Sequence, residues 1–236
     1  MIIDLHNHVG NDKDGNAQTI EELGKSMAAY GIDKAAIFPF DESGKELVRA
    51  SLDLLEYKSE KILPFLRFDP KNVKPDQISK IISGFYGVKL HPRSQSFDPL
   101  DKRFYPIYAE IEKAGKPLMI HTRKENNPNT DPDRVVTLAS SFPKLNIIIA
   151  HFAGASREAI EYIGEHDNLY LETSVFSSTK PIESVLKRIG SEKIVFGSDS
   201  PYSDQEIELM KVKKANISER DRNRILHENA ELLLGL

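Results

Sequence analysis

The chain has 236 residues, a formal net charge of −4, a pI near 6.0, and neither cysteine nor tryptophan. That length suits one well-packed domain over residues 1–236. The charge balance offers no basic footprint for nucleic acid, and the missing thiols exclude a disulfide framework and any thiolate-held metal. No apolar stretch approaches the ~20 residues of a membrane span, and the first residues lack signal-peptide features, so a cytoplasmic protein with no membrane partner is expected.

Short apolar runs alternate with longer stretches of helical period, the pattern of parallel strands joined by crossover helices. The first run, Ile2 to His8, ends in His6-Asn7-His8. Side chains two apart on a strand share a face, ~6.6 Å apart along it, so both imidazoles can reach one cation. A capping box at Thr19-Ile20-Glu21-Glu22 then starts a helix that places Ile20, Leu23, Met27 and Tyr30 on one side and stops at Gly31. Ala35 to Phe40 is the second run, followed by another box at Ser43-Gly44-Lys45-Glu46; Ile62 to Phe68 is the third. Gly87 to His91 and Pro117 to His121 are the fourth and fifth, the latter preceded by a helix that ends at Gly115. Asn146 to His151, Leu169 to Thr173 and Ile194 to Ser198 complete the set, with Pro132 and Pro181 in first turns of intervening helices, where a missing N–H costs nothing. Ser218 to Leu234 reads as a terminal helix. Eight strand–helix units predict a (β/α)8 barrel. The irregular stretches Arg93 to Pro99 and Lys124 to Asp131 follow strand ends and are placed to form an active-site rim.

The polar residues able to bind metal fall at the ends of these runs. His91, His121 and His151 close the fourth, fifth and sixth, and Asp199 follows the eighth. With His6 and His8, five of the seven histidines stand where the strands of a parallel barrel converge, the face on which active sites are built. A divalent ion held by neutral imidazoles and a carboxylate lowers the pKa of bound water towards ~7, and a carboxylate beside it can shuttle the proton. Lys89 and His91 share a face by the period of two, so either can point into the mouth.

Taken in order, Asp4-Leu5-His6-Asn7-His8, Gly87-Val88-Lys89-Leu90-His91-Pro92, Met119-Ile120-His121-Thr122, Ala150-His151-Phe152-Ala153-Gly154, Gly197-Ser198-Asp199-Ser200-Pro201 and His227-Glu228-Asn229-Ala230 span almost the whole chain. In these motifs the sequence resembles the amidohydrolase superfamily, in the metal-dependent hydrolase branch related to 2-amino-3-carboxymuconate semialdehyde decarboxylase. The resemblance implies an α/β fold, a TIM barrel with its metal site at the C-terminal mouth of the strands. It implies His6, His8, His121 and Asp199 as ligands to one or two divalent ions, zinc first and manganese as the alternative. His151 is then a second-metal ligand or the residue that orients or deprotonates bound water, which makes Asp199 and His151 the catalytic pair. In binuclear relatives a lysine on the fourth strand is carbamylated and bridges two metals; Lys89 either does this or, unmodified, contacts substrate or a carboxylate. His91 binds substrate or packs in the pocket wall. Glu172 is a candidate hydrogen-bond partner for a metal-bound histidine. Arg67, Arg93 and Arg123 either clamp an anionic substrate or form surface ion pairs.

The reaction implied is hydrolysis of a small molecule by metal-activated water; decarboxylation or hydration within the same branch is the alternative. Phosphoester chemistry ranks below both: Lys89 departs from the TatD-like nucleases, which carry glutamate on that strand, and Pro201 from the histidinol phosphatases. Arg123 stands where relatives often have glycine, and the chain is shorter than many of them, so its pocket is its own. A small-molecule substrate is the expected partner, with a homodimer left open.

Overall fold

A computed structural model describes residues 1–40, 46–175 and 178–236, with only the backbone of Ala155. Its sheet runs in the order β2 (Ala17–Gln18), β1 (Ile3–Asn11), β3 (Lys34–Pro39), β4 (Ile62–Arg67), β5 (Gly87–Leu90), β6 (Leu118–Ile120), β7 (Ile147–Ile149), β8 (Leu169–Glu172) and β9 (Ile194–Val195). All neighbours are parallel except β1 and β2. The sheet curls until its ends meet: Leu5 N donates to Phe196 O at 3.1 Å and His8 N to Ser200 O at 2.8 Å. Residues from opposite ends of the chain thereby become neighbours.

The connections carry α1 (Ile20–Tyr30), α2 (Leu47–Asp53), α3 (Pro75–Ile81), α4 (Tyr105–Lys113), α5 (Pro132–Ser141), α6 (Arg157–Glu165), α7 (Lys180–Ile189) and α8 (Gln205–Lys214), with α9 (Glu219–Asn223) and α10 (Asn229–Leu234) at the end. The Thr19 box is present, Glu22 N donating to Thr19 Oγ1 at 3.1 Å and Thr19 N to the Glu22 carboxylate at 2.8 Å. The Ser43-Gly44-Lys45-Glu46 box lies, except for Glu46, outside the described residues. Asp131 caps α5 ahead of Pro132, and Pro181 sits in the first turn of α7. No helix among the described residues is long and apolar enough to cross a membrane.

Two apolar layers hold the sheet. Ile3, Leu5, Ala36, Phe38, Leu63, Phe65, Met119, Ile148 and Val195 cluster on its inner face, with Leu233 and Leu234 of α10 against them. Ala35, Ile37, Val88, Ile120, Ile149 and Leu171 pack outward with the helices. Each such Val, Leu, Ile, Phe or Met side chain, when fully buried, contributes about 1.5–3 kcal/mol, which is why the strand runs read as nearly continuous apolar sequence.

The exception is β1, and it builds the site. Strict alternation would send Ile3 and Leu5 to one face and His6 and His8 to the other. Instead Asp4 pairs with Ala35 and Asn7 with Ile37, so three steps along β1 oppose two along β3. This one-residue bulge lets Leu5 stay in the inner apolar cluster while His6 and His8 also turn inward, their rings 5.3 and 4.7 Å from that of Phe38. Asp4, wholly buried, accepts from His6 N at 3.1 Å, Ser198 N at 2.9 Å, Ser198 Oγ at 2.6 Å and Gln205 Nε2 at 2.9 Å. It ties the bulge to the segment that leads into Asp199.

Two expectations change at the far end. The eighth run is regular only over Ile194–Val195, because Phe196 N donates to Ile225 O at 3.0 Å, outside the sheet. That same bond draws a carbonyl out of the terminal helix. Ser218 to Leu234 is accordingly α9, a widened π turn over Arg224–Glu228, and α10.

Candidate metal centre

His6, His151 and Asp199 each offer a donor atom, all within 4.8 Å of one another and buried, and could hold a metal ion. Asp199 follows β9 and is the hinge of the arrangement: its Oδ1 lies 3.0 Å from His6 Nε2 and 3.2 Å from His8 Nε2. It adopts φ +60°, a left-handed conformation that Asp and Asn tolerate better than most residues. His121 and His151, which follow β6 and β7, meet at 2.9 Å through Nδ1 of the first and Nε2 of the second. His91 stacks on His121 with centroids 3.7 Å apart and planes 14° from parallel. Lys89 of β5 is wholly buried and places Nζ 2.9 Å from His6 Nε2.

All seven residues expected at the site therefore converge. His6, His151 and Asp199 form the tight group; His8 joins it through Asp199, His121 through His151, Lys89 through His6, and His91 through His121.

Glu172 orders the histidines. Its Oε2 accepts from His6 Nδ1 at 3.2 Å, from His151 N at 3.1 Å and from Ser174 Oγ at 2.9 Å. Because His6 donates from Nδ1 to a carboxylate, its Nε2 is turned towards Asp199 and Lys89. Ser174 Oγ, having given its hydrogen to Glu172, accepts from His151 Nδ1 at 2.8 Å, which aims the His151 Nε2 lone pair inward as well. Sequence reading expects Glu172 beside one histidine; it holds two, together with Ser174, which had drawn no attention. A faint signal exists in Gly197, where a Cβ would lie 2.5 Å from Glu172 Oε1. Only glycine leaves room for the carboxylate.

The electrostatics suit a cation. Burial alone would raise the Glu172 carboxyl, but the hydrogen bond and charge of His6, with His151, bring it down to about 2. Asp199 is likewise pushed up by burial and, more strongly, held well below the usual carboxylate range by His6, His151 and His8. Burial lowers His8 to about 3 and His151 to about 4, and puts His91 and His121 well below the ordinary imidazole value. These four rings are neutral at pH 7 with lone pairs to donate. His6 is the exception: burial and Lys89 lower it, yet Asp199 and Glu172 raise it above its usual value, so the site favours positive charge at that ring. The buried His8 Nδ1 and His121 Nε2 have no hydrogen-bond partner among the described residues. Nitrogen and oxygen donors without sulfur fit zinc or manganese, so the residues present fit a divalent ion.

A pH dependence follows. The folded His8 ionises near pH 3 against ~6.5 unfolded, so below that value the unfolded chain binds more protons, and this contribution to stability, complete above pH 6.5, is lost as pH falls. The urea midpoint of metal-free protein should drop between pH 7 and 4.5, and drop less in His8→Gln; an equal drop in both would contradict the neutral ring.

His8, Lys89, His91, His121, His151 and Asp199 of this cluster line a cavity of about 840 Å³. Arg67, almost wholly buried, donates Nη1 to Pro39 O at 2.8 Å and Nη2 to Ser94 Oγ at 3.3 Å and lines its wall. Tyr202 lines another side, its ring edge-on to His8 at 5.0 Å and its hydroxyl donating to Asp12 at 2.5 Å. Aromatic rings and cationic side chains thus share the lining, which suits an aromatic anion.

Comparison with known proteins gives the chain its relatives. A gamma-resorcylate decarboxylase from Rhizobium radiobacter is 22% identical over 209 residues, covering 65% of this chain and 62% of that enzyme. The chain therefore spans less than two thirds of this curated relative's length. The structure of 5-carboxyvanillate decarboxylase from Sphingomonas paucimobilis is similar with a TM-score of 0.82 at 15% identity, covering 100% of this chain and 99% of that one. Dihydroxybenzoic acid decarboxylase from Polaromonas sp. JS666, solved with manganese and 2-nitroresorcinol, gives 0.81 at 17%, covering 100% and 97%. At such identities the structural likeness speaks for the fold alone. The model of the amidohydrolase family (Amidohydrolase) matches residues 65–236, which run from within β4 through α10 and include Lys89, His91, His121, His151 and Asp199, and on that match the chain belongs to the amidohydrolase family.

Proposed function

We propose that this chain is a divalent-metal-dependent decarboxylase of small hydroxylated aromatic acids, a single (β/α)8 barrel domain over residues 1–236 with its site at the C-terminal mouth of the strands. The observation that carries the reading is the buried His6–His151–Asp199 group, of which His151 and Asp199 line a cavity that six Lys and Arg side chains also line, in a chain similar to a curated gamma-resorcylate decarboxylase. These relatives support the non-hydrolytic alternative over water-driven hydrolysis.

We assign His6, His8, His121 and Asp199 to the ion, with His151 close enough to join them. When bound, a divalent ion supplies Lewis acidity that draws electron density from the substrate oxygens. Arg67 and Lys89 bind and orient the anionic acid, and the faces of Tyr202 and the stacked His91 hold its ring. Loss of carbon dioxide requires a proton at the ring carbon that carried the carboxylate. Asp199, ionised in the free site, takes that proton from the hydroxyl of the bound acid and gives it to the ring carbon, where the electron pair of the broken C–C bond becomes the new C–H bond as carbon dioxide leaves. His151, oriented by Ser174, then passes a proton from solvent to the phenolate that remains.

Metal-stripped and manganese- or zinc-loaded protein should be incubated with 2,4- and 2,6-dihydroxybenzoate and 5-carboxyvanillate labelled in the carboxyl carbon. Labelled carbon dioxide is expected only from loaded protein, with the decarboxylated phenol in equal amount. Loaded protein that releases none from any of these acids would overturn the proposal.

A further inference from the structure

We propose that Val175 is a specificity-determining residue whose aliphatic side chain contacts the ring of the bound acid, and that Glu208 is the positioning residue that holds it there. This rests on the aromatic-acid reading and deepens it. Among the described residues that line the cavity, Val175 alone has an aliphatic side chain. The others are charged, polar or aromatic, apart from Gly154.

The backbone of Val175 is unusual. Shortly after β8 it adopts φ +70°, in the left-handed region, and among the described non-glycine residues found there it is the only one with a branched β-carbon. This conformation crowds Cβ against the following carbonyl oxygen, and for a β-branched residue it is an outlier. Core packing does not offset the strain, because the side chain is nearly half exposed. Strained backbone of this kind persists where the surroundings impose it, and it gathers at ligand contacts.

The surroundings impose it from two sides. Ser174 N and Oγ both donate to the Glu172 carboxylate, so the residue before Val175 is tied to the anchor of the metal centre. Val175 N itself donates to Glu208 Oε1 at 3.2 Å, and Ser203 Oγ donates to the same oxygen at 2.7 Å. Glu208 lies on α8, buried and paired with the buried Lys211. Ser203 N in turn donates to Asp199 O at 3.2 Å. One buried carboxyl group therefore joins the loops that leave β8 and β9 and fixes Val175 relative to the turn that starts at Asp199.

The test uses zinc-loaded protein and two non-reacting probes, benzoate and acetate, which share a carboxylate and differ in the ring, with affinities from NMR titration. Val175→Gly and Val175→Asn both suit the left-handed backbone, so each should keep the wild-type urea midpoint or exceed it. Benzoate affinity should nonetheless fall about 3- to 10-fold in both, the scale of one partly buried aliphatic side chain, with acetate unchanged. Glu208→Met combined with Lys211→Met removes the tether without leaving a buried charge unpaired. That variant should keep its metal, lose benzoate affinity to a similar degree, and lose no more when Val175→Gly is added. Benzoate affinity unchanged in both Val175 variants, an equal loss for acetate, urea midpoints that fall in both, or no benzoate binding by wild type would each overturn the contact. Wild-type benzoate affinity in the paired variant, or a further loss on adding Val175→Gly, would overturn the role of Glu208. Labelled carbon dioxide release, measured separately, keeps the claims apart. A ring contact in a protein that decarboxylates nothing removes the reaction and leaves the role of Val175; decarboxylation with benzoate affinity untouched by Val175→Gly removes that role alone.

Discussion

Asp199→Asn should lose the bulk of its bound metal and at least ~10³-fold in turnover, while unfolding as cooperatively as wild type. The choice of asparagine matters. Asp199 occupies the left-handed region, where asparagine is among the few residues accepted without strain, so the backbone that leads into α8 is preserved. What changes is charge: the carboxylate shared by His6 Nε2 and His8 Nε2 becomes neutral and places an amide among lone pairs. Metal content by mass spectrometry, read beside the urea transition, separates loss of the site from loss of the fold. A variant that keeps a full equivalent of metal would show that Asp199 is not a ligand.

Glu172→Gln is the second large effect, and it acts without touching the ion. The amide nitrogen of glutamine would confront donors wherever it replaced Oε2, since that atom accepts from His6 Nδ1, His151 N and Ser174 Oγ. If the amide turns instead, the nitrogen meets Ser174 N, which now donates to Oε1 at 2.5 Å. Either way at least one buried N–H loses its partner and the two rings lose their common anchor. Changes of this kind at the partners of metal-bound histidines cost about 10–100-fold in metal affinity. Competition with a chelator should show that loss, with turnover recovering at saturating metal. An unchanged affinity would mean that the rings are held by something other than Glu172.

Most of the fold was legible because the barrel pattern is local. Apolar runs that stop at His91, His121 and His151 locate three strand ends directly, and the Thr19 box locates a helix start. The bulge in β1 was not legible, because nothing in Asp4-Leu5-His6-Asn7-His8 marks an inserted residue; it depends on which neighbour each residue meets across β3. The π turn at Arg224–Glu228 depends in the same way on Phe196, almost thirty residues earlier. At the site, the residue types and their convergence could be read from chain order. The division of labour could not: Glu172 reaches His6 across 166 positions and His151 across 21, and Ser174 gains its role only by standing between Glu172 and His151. Arg93 shows the same limit. Its residue type suggested an anion clamp or an ion pair, and the structure pairs it with Glu125.

The most direct test of the account is to follow solvent oxygen during turnover of a carboxyl-labelled dihydroxybenzoate by manganese-loaded protein in H₂¹⁸O. The account predicts one labelled carbon dioxide for each phenol formed and no oxygen-18 in the organic product. Oxygen-18 incorporated into a carbonyl or carboxyl product, with the labelled carbon retained, would contradict it and return the chain to hydrolytic chemistry.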